Sequence, residues 1–379
     1  MELYAEIEKR ENGIKIIEMH TAGEPTRIVV KGYPPILGSN ILEKRRYVKD
    51  NLDWIRKRIL FEPRGHKDQY GAIILDEKTN SEADVSVLFM HNAEGYSTMC
   101  GHATIALGRF LIDSDHLYPP PIPDDSGKVT LKIECPCGIV PTFIHTYTTS
   151  SGQLRSNPNL PVSFQSVPSF SVAVDCVLEI LINGRRKSVK FDIGFGGAFY
   201  VIVAASELGF DNSCLDSNDL SLIVKVANDL SNHVRQSKYV GNIRHPSSEH
   251  SELNFLYGTI ITDGRDGSED GGSRNLCVFA DCEIDRSPCG SGVSARMALL
   301  YAKGIVEIGK PCYYESALGG DGFTGKVVRE VSICDVDGSE KENLRAVVVE
   351  VGGKAYYCGV STFVIEENDP YKNGFIIRT

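Results

Sequence analysis

The chain has 379 residues, 42% of them hydrophobic and 24% charged, and a formal net charge of −10 at neutral pH. That length suits two domains of about 150–200 residues, while the acidic balance argues against a general nucleic-acid binder, which needs a basic surface. No run approaches about 18 apolar residues, so no membrane span is implied.

Ile14–Ile17 and Arg27–Val30 are rich in β-branched residues and predict a strand pair. The turn between them, Glu18 to Pro25, carries His20 and Glu24, which serve either the chemistry or the turn itself. Ser39 to Leu60 reads as a helix, and its basic cluster, Lys44-Arg45-Arg46 with Arg56-Lys57-Arg58, reads as a solvated face. Phe61 to His66 is a turn with the ionisable residues Glu62, Arg64 and His66, to which no role is assigned. Strands are expected at Gly71–Leu75 and Ala83–Met90, the second running toward Met99-Cys100-Gly101-His102 and a helical run to Leu111. A Pro-rich loop (Pro119 to Pro123), a strand at Val129–Glu134 and a polar loop at Thr148–Gln153 follow. Cys135-Pro136-Cys137 has no second ligand pair after it, so no zinc site is predicted.

The strand pattern restarts at Phe164, which places a boundary between a first half, residues 1–163, and a second, residues 164–355; residues 356–379 are free to pack back on the first. Phe191 to Tyr200 reads as a strand interrupted by glycines, and Ser217–Gln236 as an amphipathic helix. A flexible Gly/Asp/Ser loop runs from Asp263 to Ser273. Cys277 and Cys282 sit in or beside an apolar strand, Leu276–Ala280, and are expected to be buried. Then comes Asp285-Arg286-Ser287-Pro288-Cys289-Gly290-Ser291-Gly292, a turn leading into the apolar run Val293–Leu300.

Cys100 and Cys289 stand half a chain length apart, each followed by Gly, a polar residue and a helix, with a bulky apolar pair (Phe110-Leu111, Leu299-Leu300) at the same offset. Two halves with one cysteine each at a helix start suggest a duplicated domain with a ligand site between the copies. A thiol at a helix N-terminus can be acidified by the helix dipole and the unpaired N–H groups. Eleven cysteines, odd in number and irregularly spaced, follow an N-terminus (Met1 to Arg10) without the apolar core of a signal peptide. Reduced thiols and a cytoplasmic location are therefore expected.

The paired cysteine motifs, together with Met19–Pro25, Glu62–His66 and Gly196–Tyr200, resemble the proline racemase family over nearly the whole chain. That family includes hydroxyproline 2-epimerase and trans-3-hydroxy-L-proline dehydratase. The resemblance implies an α+β fold of two pseudo-symmetric halves, each with strands wrapped around a central helix, as in diaminopimelate epimerase. It also implies a cleft site between the halves, a homodimer, and no cofactor or metal. Cys100 and Cys289 would be the catalytic thiolate and thiol, exchanging protons with Cα of proline or a hydroxyproline. Gly101, His102, Gly290 and Ser291 would line the substrate carboxylate, with His102 and Asp285 near its nitrogen. Asp285 equally suits a turn or helix cap, and His102 a plain first-turn position. The rest of the chain looks most like the eukaryotic dehydratases, which typically carry Thr where this chain has Cys289, so whole-chain likeness and the cysteine pair point to different reactions. The pair favours a cofactor-independent racemase or epimerase. A dehydratase is the alternative, and a silent imino-acid-binding protein or a metal- or redox-sensing cysteine protein are readings of other classes.

Overall fold

The computed structural model describes residue 6 and residues 13–93, 95–114, 116–117, 119–182, 184–216, 220–246, 248–268, 272–280, 282–333 and 344–377. Cys334, most of the N-terminal decapeptide, the beginning of the helix expected from Ser217 and residues 269–271 of the Gly/Asp/Ser loop lie outside the described residues. The chain divides into two compact units, Met1–Val162 with Lys354–Thr379, and Ser163–Gly353.

The first unit opens with β1 (Ile14–Thr21) and β2 (Glu24–Lys31). They form an antiparallel hairpin closed by Ala22 and Gly23, both with positive φ, the backbone of a tight primed turn. The helix expected over Ser39–Leu60 is two helices, α1 (Ile41–Asn51) and α2 (Asp53–Leu60). Asn40 caps the first by accepting the Glu43 N–H, and Glu43 in turn takes the N–H and hydroxyl of Ser39. Asp53 restarts the helix as a first-turn acid paired with Arg56 and Lys57. Then come β3 (Tyr70–Ile74), β4 (Val85–His91), α3 (Gly101–Asp113), β5 (Lys128–Cys135), β6 (Gly138–Thr148) and β7 (Leu154–Ser156).

Beginning from the C-terminal strand (Ala355–Phe363), the first unit pairs its strands in the order C-terminal, β1, β2, β3, β4, β5, β6, β7. The successive pairings are antiparallel, antiparallel, parallel, antiparallel, parallel, antiparallel and antiparallel. Helix α3 packs against β1, β2, β6, β7 and the C-terminal strand. Eleven of its thirteen residues are buried, so it is the core of the unit and not a surface helix with one apolar stripe.

The second unit comprises β8 (Val162–Gln165, entering from the last residue of the first), β9 (Phe170–Ile182), β10 (Arg185–Phe195), β11 (Phe199–Ala204), α4 (Ser221–Arg235), β12 (Leu256–Thr262), β13 (Ser273–Phe279), β14 (Glu283–Asp285), α5 (Gly290–Ala302), β15 (Pro311–Ser316), β16 (Phe323–Ile333) and β17 (Leu344–Gly353). The expected single strand across Phe191–Tyr200 is in fact two. Gly196, Gly197 and Ala198 turn the chain between β10 and β11, which pair antiparallel from Phe195↔Phe199 outward. The order β9, β10, β11, β12, β13, β15, β16, β17 repeats the seven pairing directions of the first unit in the same sequence. Helix α5 packs on β9, β10, β11, β16 and β17, with eleven of thirteen residues buried. Each unit is thus a wrap of strands around one buried helix, the α+β arrangement expected.

In this correspondence the hairpin turn Thr21–Glu24 of the first unit matches the turn Phe195–Phe199 of the second. Both turns touch the start of the central helix. Thr21 donates its hydroxyl to the His102 carbonyl at 2.9 Å, and Gly196 lies so close to α5 that a Cβ there would overlap the Ser291 carbonyl and the Ala295 amide. Gly196→Ala should therefore push the turn off the helix and cost about 1–3 kcal/mol of stability, read as a lower midpoint in urea unfolding. An unchanged midpoint would contradict this close approach.

Candidate active site

Cys100 ends the loop after β4 and is the N-cap of α3, with extended backbone angles. Its sulfur accepts the Ala103 N–H at 3.4 Å and lies 3.3 Å from Nδ1 of His102. The His102 ring meets the edge of Tyr70, with centroids 4.7 Å apart. Thr104 closes the first turn by donating to the Cys100 carbonyl. The first N–H groups of a helix have no partner within it, so this start offers a thiol, an imidazole and backbone donors together in a buried place.

Several contacts hold the loop leading to Cys100. Arg56, read from sequence as part of a solvated basic face, is buried instead. Its guanidinium pairs with Asp53 and donates to the carbonyls of His91, Asn92 and Ala93 at 2.7–2.9 Å. Arg45 adds a bond to the Tyr96 carbonyl at 2.8 Å. Cys137, in the β5–β6 turn, donates its N–H to the carbonyl of Thr98 at 3.0 Å. Its thiol lies 3.5 Å from that of Cys135, and this contact together with burial raises the Cys137 pKa well above its usual value.

Cys289 is the N-cap of α5, but with φ 65°, a left-handed conformation that a residue with a Cβ adopts at some cost. Asp285 supplies the turn before it. Its Oδ1 accepts the Ser287 N–H at 2.8 Å and the Ser287 hydroxyl at 2.6 Å, and Ser287 in turn accepts the Cys289 N–H at 3.2 Å. Arg296, buried on α5, bonds Asn275 at 2.7 Å, and Asn275 holds the Pro288 carbonyl at 3.2 Å. The Cys289 sulfur lies 3.7 Å from the Tyr200 hydroxyl and 3.9 Å from that of Ser291, and those two hydroxyls are 2.7 Å apart.

The structure thus groups Cys100, Gly101 and His102 at one helix start, and Asp285, Cys289, Gly290 and Ser291 at the other. His20 stacks on Tyr356 and accepts the Gly23 N–H, which suits the hairpin turn. Arg64 bonds the carbonyls of Arg58, Tyr371 and Lys372, holding the C-terminal segment. Cys277 is buried as expected, whereas Cys282 is only half-buried. Among the described residues no group of three or more His, Cys, Asp or Glu could hold a metal. Sequence reading missed Arg56, Asn275, Arg296 and the hydroxyl of Tyr200. Of these only Tyr200 carried a signal, as part of the Gly196–Tyr200 motif.

Residues 16–376 match the family described as proline racemase. Trans-3-hydroxy-L-proline dehydratase of Homo sapiens is 43% identical over 365 residues, covering 96% of this chain and 95% of its own. The Mus musculus protein of the same activity is 42% identical over 369 residues, covering 97% and 96%. Among solved structures, a hydroxyproline epimerase from Agrobacterium vitis with bound trans-4-OH-L-proline aligns with TM-score 0.79 at 20% identity, covering 97% and 96%. A probable proline racemase from Agrobacterium radiobacter K84 gives 0.78 at 21% identity, with 96% of each chain covered. At those identities the two structures speak for the fold alone.

Arg56 makes the most bonds of the two arginines that hold the Cys100 loop. Arg56→Leu removes the guanidinium shared by the carbonyls of His91, Asn92 and Ala93, leaves Asp53 without that partner, and should cost about 2–4 kcal/mol in urea unfolding. Arg56→Lys should recover little, because an ammonium cannot reproduce the fork. A loss below about 1 kcal/mol, the worth of a surface ion pair, would contradict this role.

Proposed function

The chain belongs to the proline racemase family, and from that premise we propose that it inverts the Cα centre of proline or a hydroxyproline with Cys100 and Cys289 as its acid–base pair. The observation that carries this reading is the thiol at the start of each buried helix, beside backbone donors and further hydroxyl or imidazole groups. As thiolate, Cys100 takes the Cα proton from one face. As thiol, Cys289 delivers a proton to the other, and the roles exchange in the reverse direction.

Negative charge gathers on the substrate carboxylate as the Cα proton leaves. N–H groups of Gly101, His102, Gly290 and Ser291 receive that carboxylate, as helix starts receive anions. Donors aimed at developing charge are worth about 3–4 kcal/mol each, by analogy with oxyanion holes. Asp285 and His102 serve the ring nitrogen. No step invokes a metal or organic cofactor, so activity should survive chelator and dialysis. The protein is taken to work in the cytoplasm as a homodimer.

A second reading is dehydration of trans-3-hydroxy-L-proline, the activity that names the relatives at 42–43% identity. That reaction needs the Cα proton removed and the C3 hydroxyl lost as water, with no thiol returning a proton to Cα. The cysteine at position 289 favours inversion. Cys289→Ser should lower inversion at least about 100-fold, since a serine hydroxyl is a far weaker base at neutral pH. Cys289→Thr should lose inversion while keeping or gaining dehydration, both read by chiral chromatography of the products. Inversion near the unmodified rate in Cys289→Ser would overturn the two-thiol mechanism.

A further inference from the structure

We infer that Tyr200 is the positioning residue for Cys289, its hydroxyl serving the sulfur both as thiol and as thiolate; this rests on the reading of Cys289 as an acid–base group. Tyr200 lies on β11, fully buried, between Gly194 of β10 and Gly258 of β12 in the strand register. Tyr257 meets its ring edge-on, with centroids 5.6 Å apart. The side chain is thus fixed with its hydroxyl 3.7 Å from the Cys289 sulfur and 2.7 Å from the Ser291 hydroxyl.

A group that alternates between acid and base needs a neighbour that can accept S–H in one state and donate to S⁻ in the other. A phenolic hydroxyl does both. With Cys289 as thiol, S–H points to the Tyr200 oxygen and Tyr200 donates to Ser291. With Cys289 as thiolate, the Tyr200 proton turns to sulfur and Ser291 donates to Tyr200. No heavy atom moves and no proton leaves the tyrosine. Burial, and then negative charge on Cys289, raise the Tyr200 pKa well above its usual value, so it stays a neutral phenol through both states.

The first unit supports its thiol differently. Cys100 takes a helix N–H from Ala103 and lies beside His102, whereas the Cys289 side chain receives no such helix N–H. Tyr200 should therefore tune one cysteine and not the other, which gives the test its internal control.

The test titrates the thiols of the substrate-free protein by thiolate ultraviolet absorbance. Each protein is read against the same protein carrying Cys289→Ala, or Cys100→Ala for the control. Tyr200→Phe removes only the hydroxyl and should raise the Cys289 midpoint by on the order of one to two pH units, the worth of a hydrogen bond to a charged group. Ser291→Ala should raise it less, since Tyr200 remains. The Cys100 midpoint should stay where it is in both. An unchanged Cys289 midpoint, or equal movement of both cysteines, would overturn the assignment; if Tyr200→Phe does not fold, fluorotyrosine at position 200, a stronger donor of nearly the same shape, should lower the Cys289 midpoint alone, and no movement there would overturn it. Because no substrate is present, a shift found in a protein that inverts no proline supports Tyr200 and counts against the proposed reaction alone.

Discussion

A helix sheathed by strands cannot leave the donors of its first turn to bulk water, and this constraint shapes both units. Buried backbone N–H groups must find partners. At α3 the Cys100 sulfur accepts one of them. At α5 the chain reaches the helix through a left-handed Cys289, set up by the Asp285–Ser287 turn. The rest of each unit serves these two points: a hairpin turn pressed against the helix start, a strand leading into the cysteine loop, and buried polar side chains that fix the loop.

Those polar side chains differ in kind. In the first unit the anchors are Arg56 and Arg45, which hold carbonyls at residues 91–93 and 96, and the Cys137 N–H on Thr98. In the second, Arg296 works through Asn275 on Pro288, and Tyr200 and Ser291 reach the sulfur itself. Duplication kept the seven strand pairings and the helix, but not the groups around the thiol. The two cysteines therefore stand in unlike surroundings at matching places in the two units.

Much of this was legible in the sequence. Both cysteine helices announced themselves by a Ser/Pro/Gly or Cys-Gly start followed by an apolar run, and the repeat of that pattern disclosed the duplicated architecture. What failed did so for physical reasons. Arg56 sits among six other basic residues between Ser39 and Leu60, and nothing local tells a buried guanidinium from a solvated one, because its carbonyl partners lie some 35 residues away. The glycines after Phe195 read in the sequence as a break within one strand, since a turn and a bulge share the same residue type and only pairing partners separate them. The single helix expected over Ser39–Leu60 splits at Leu52 because Asp53 begins its own ion pairs, a choice that periodicity does not register. Tyr200 was visible as part of a motif, but its role depends on Ser291 and Cys289, some ninety residues further along.

We propose that this chain exchanges the Cα proton of a proline ring through two thiols. The most direct measurement is proton NMR of L-proline, trans-4-hydroxy-L-proline and trans-3-hydroxy-L-proline incubated in D2O with the unmodified protein. Deuterium should appear at Cα together with the inverted isomer of at least one substrate. Rapid loss of trans-3-hydroxy-L-proline to a dehydrated product, with no inversion of any of the three, would contradict it.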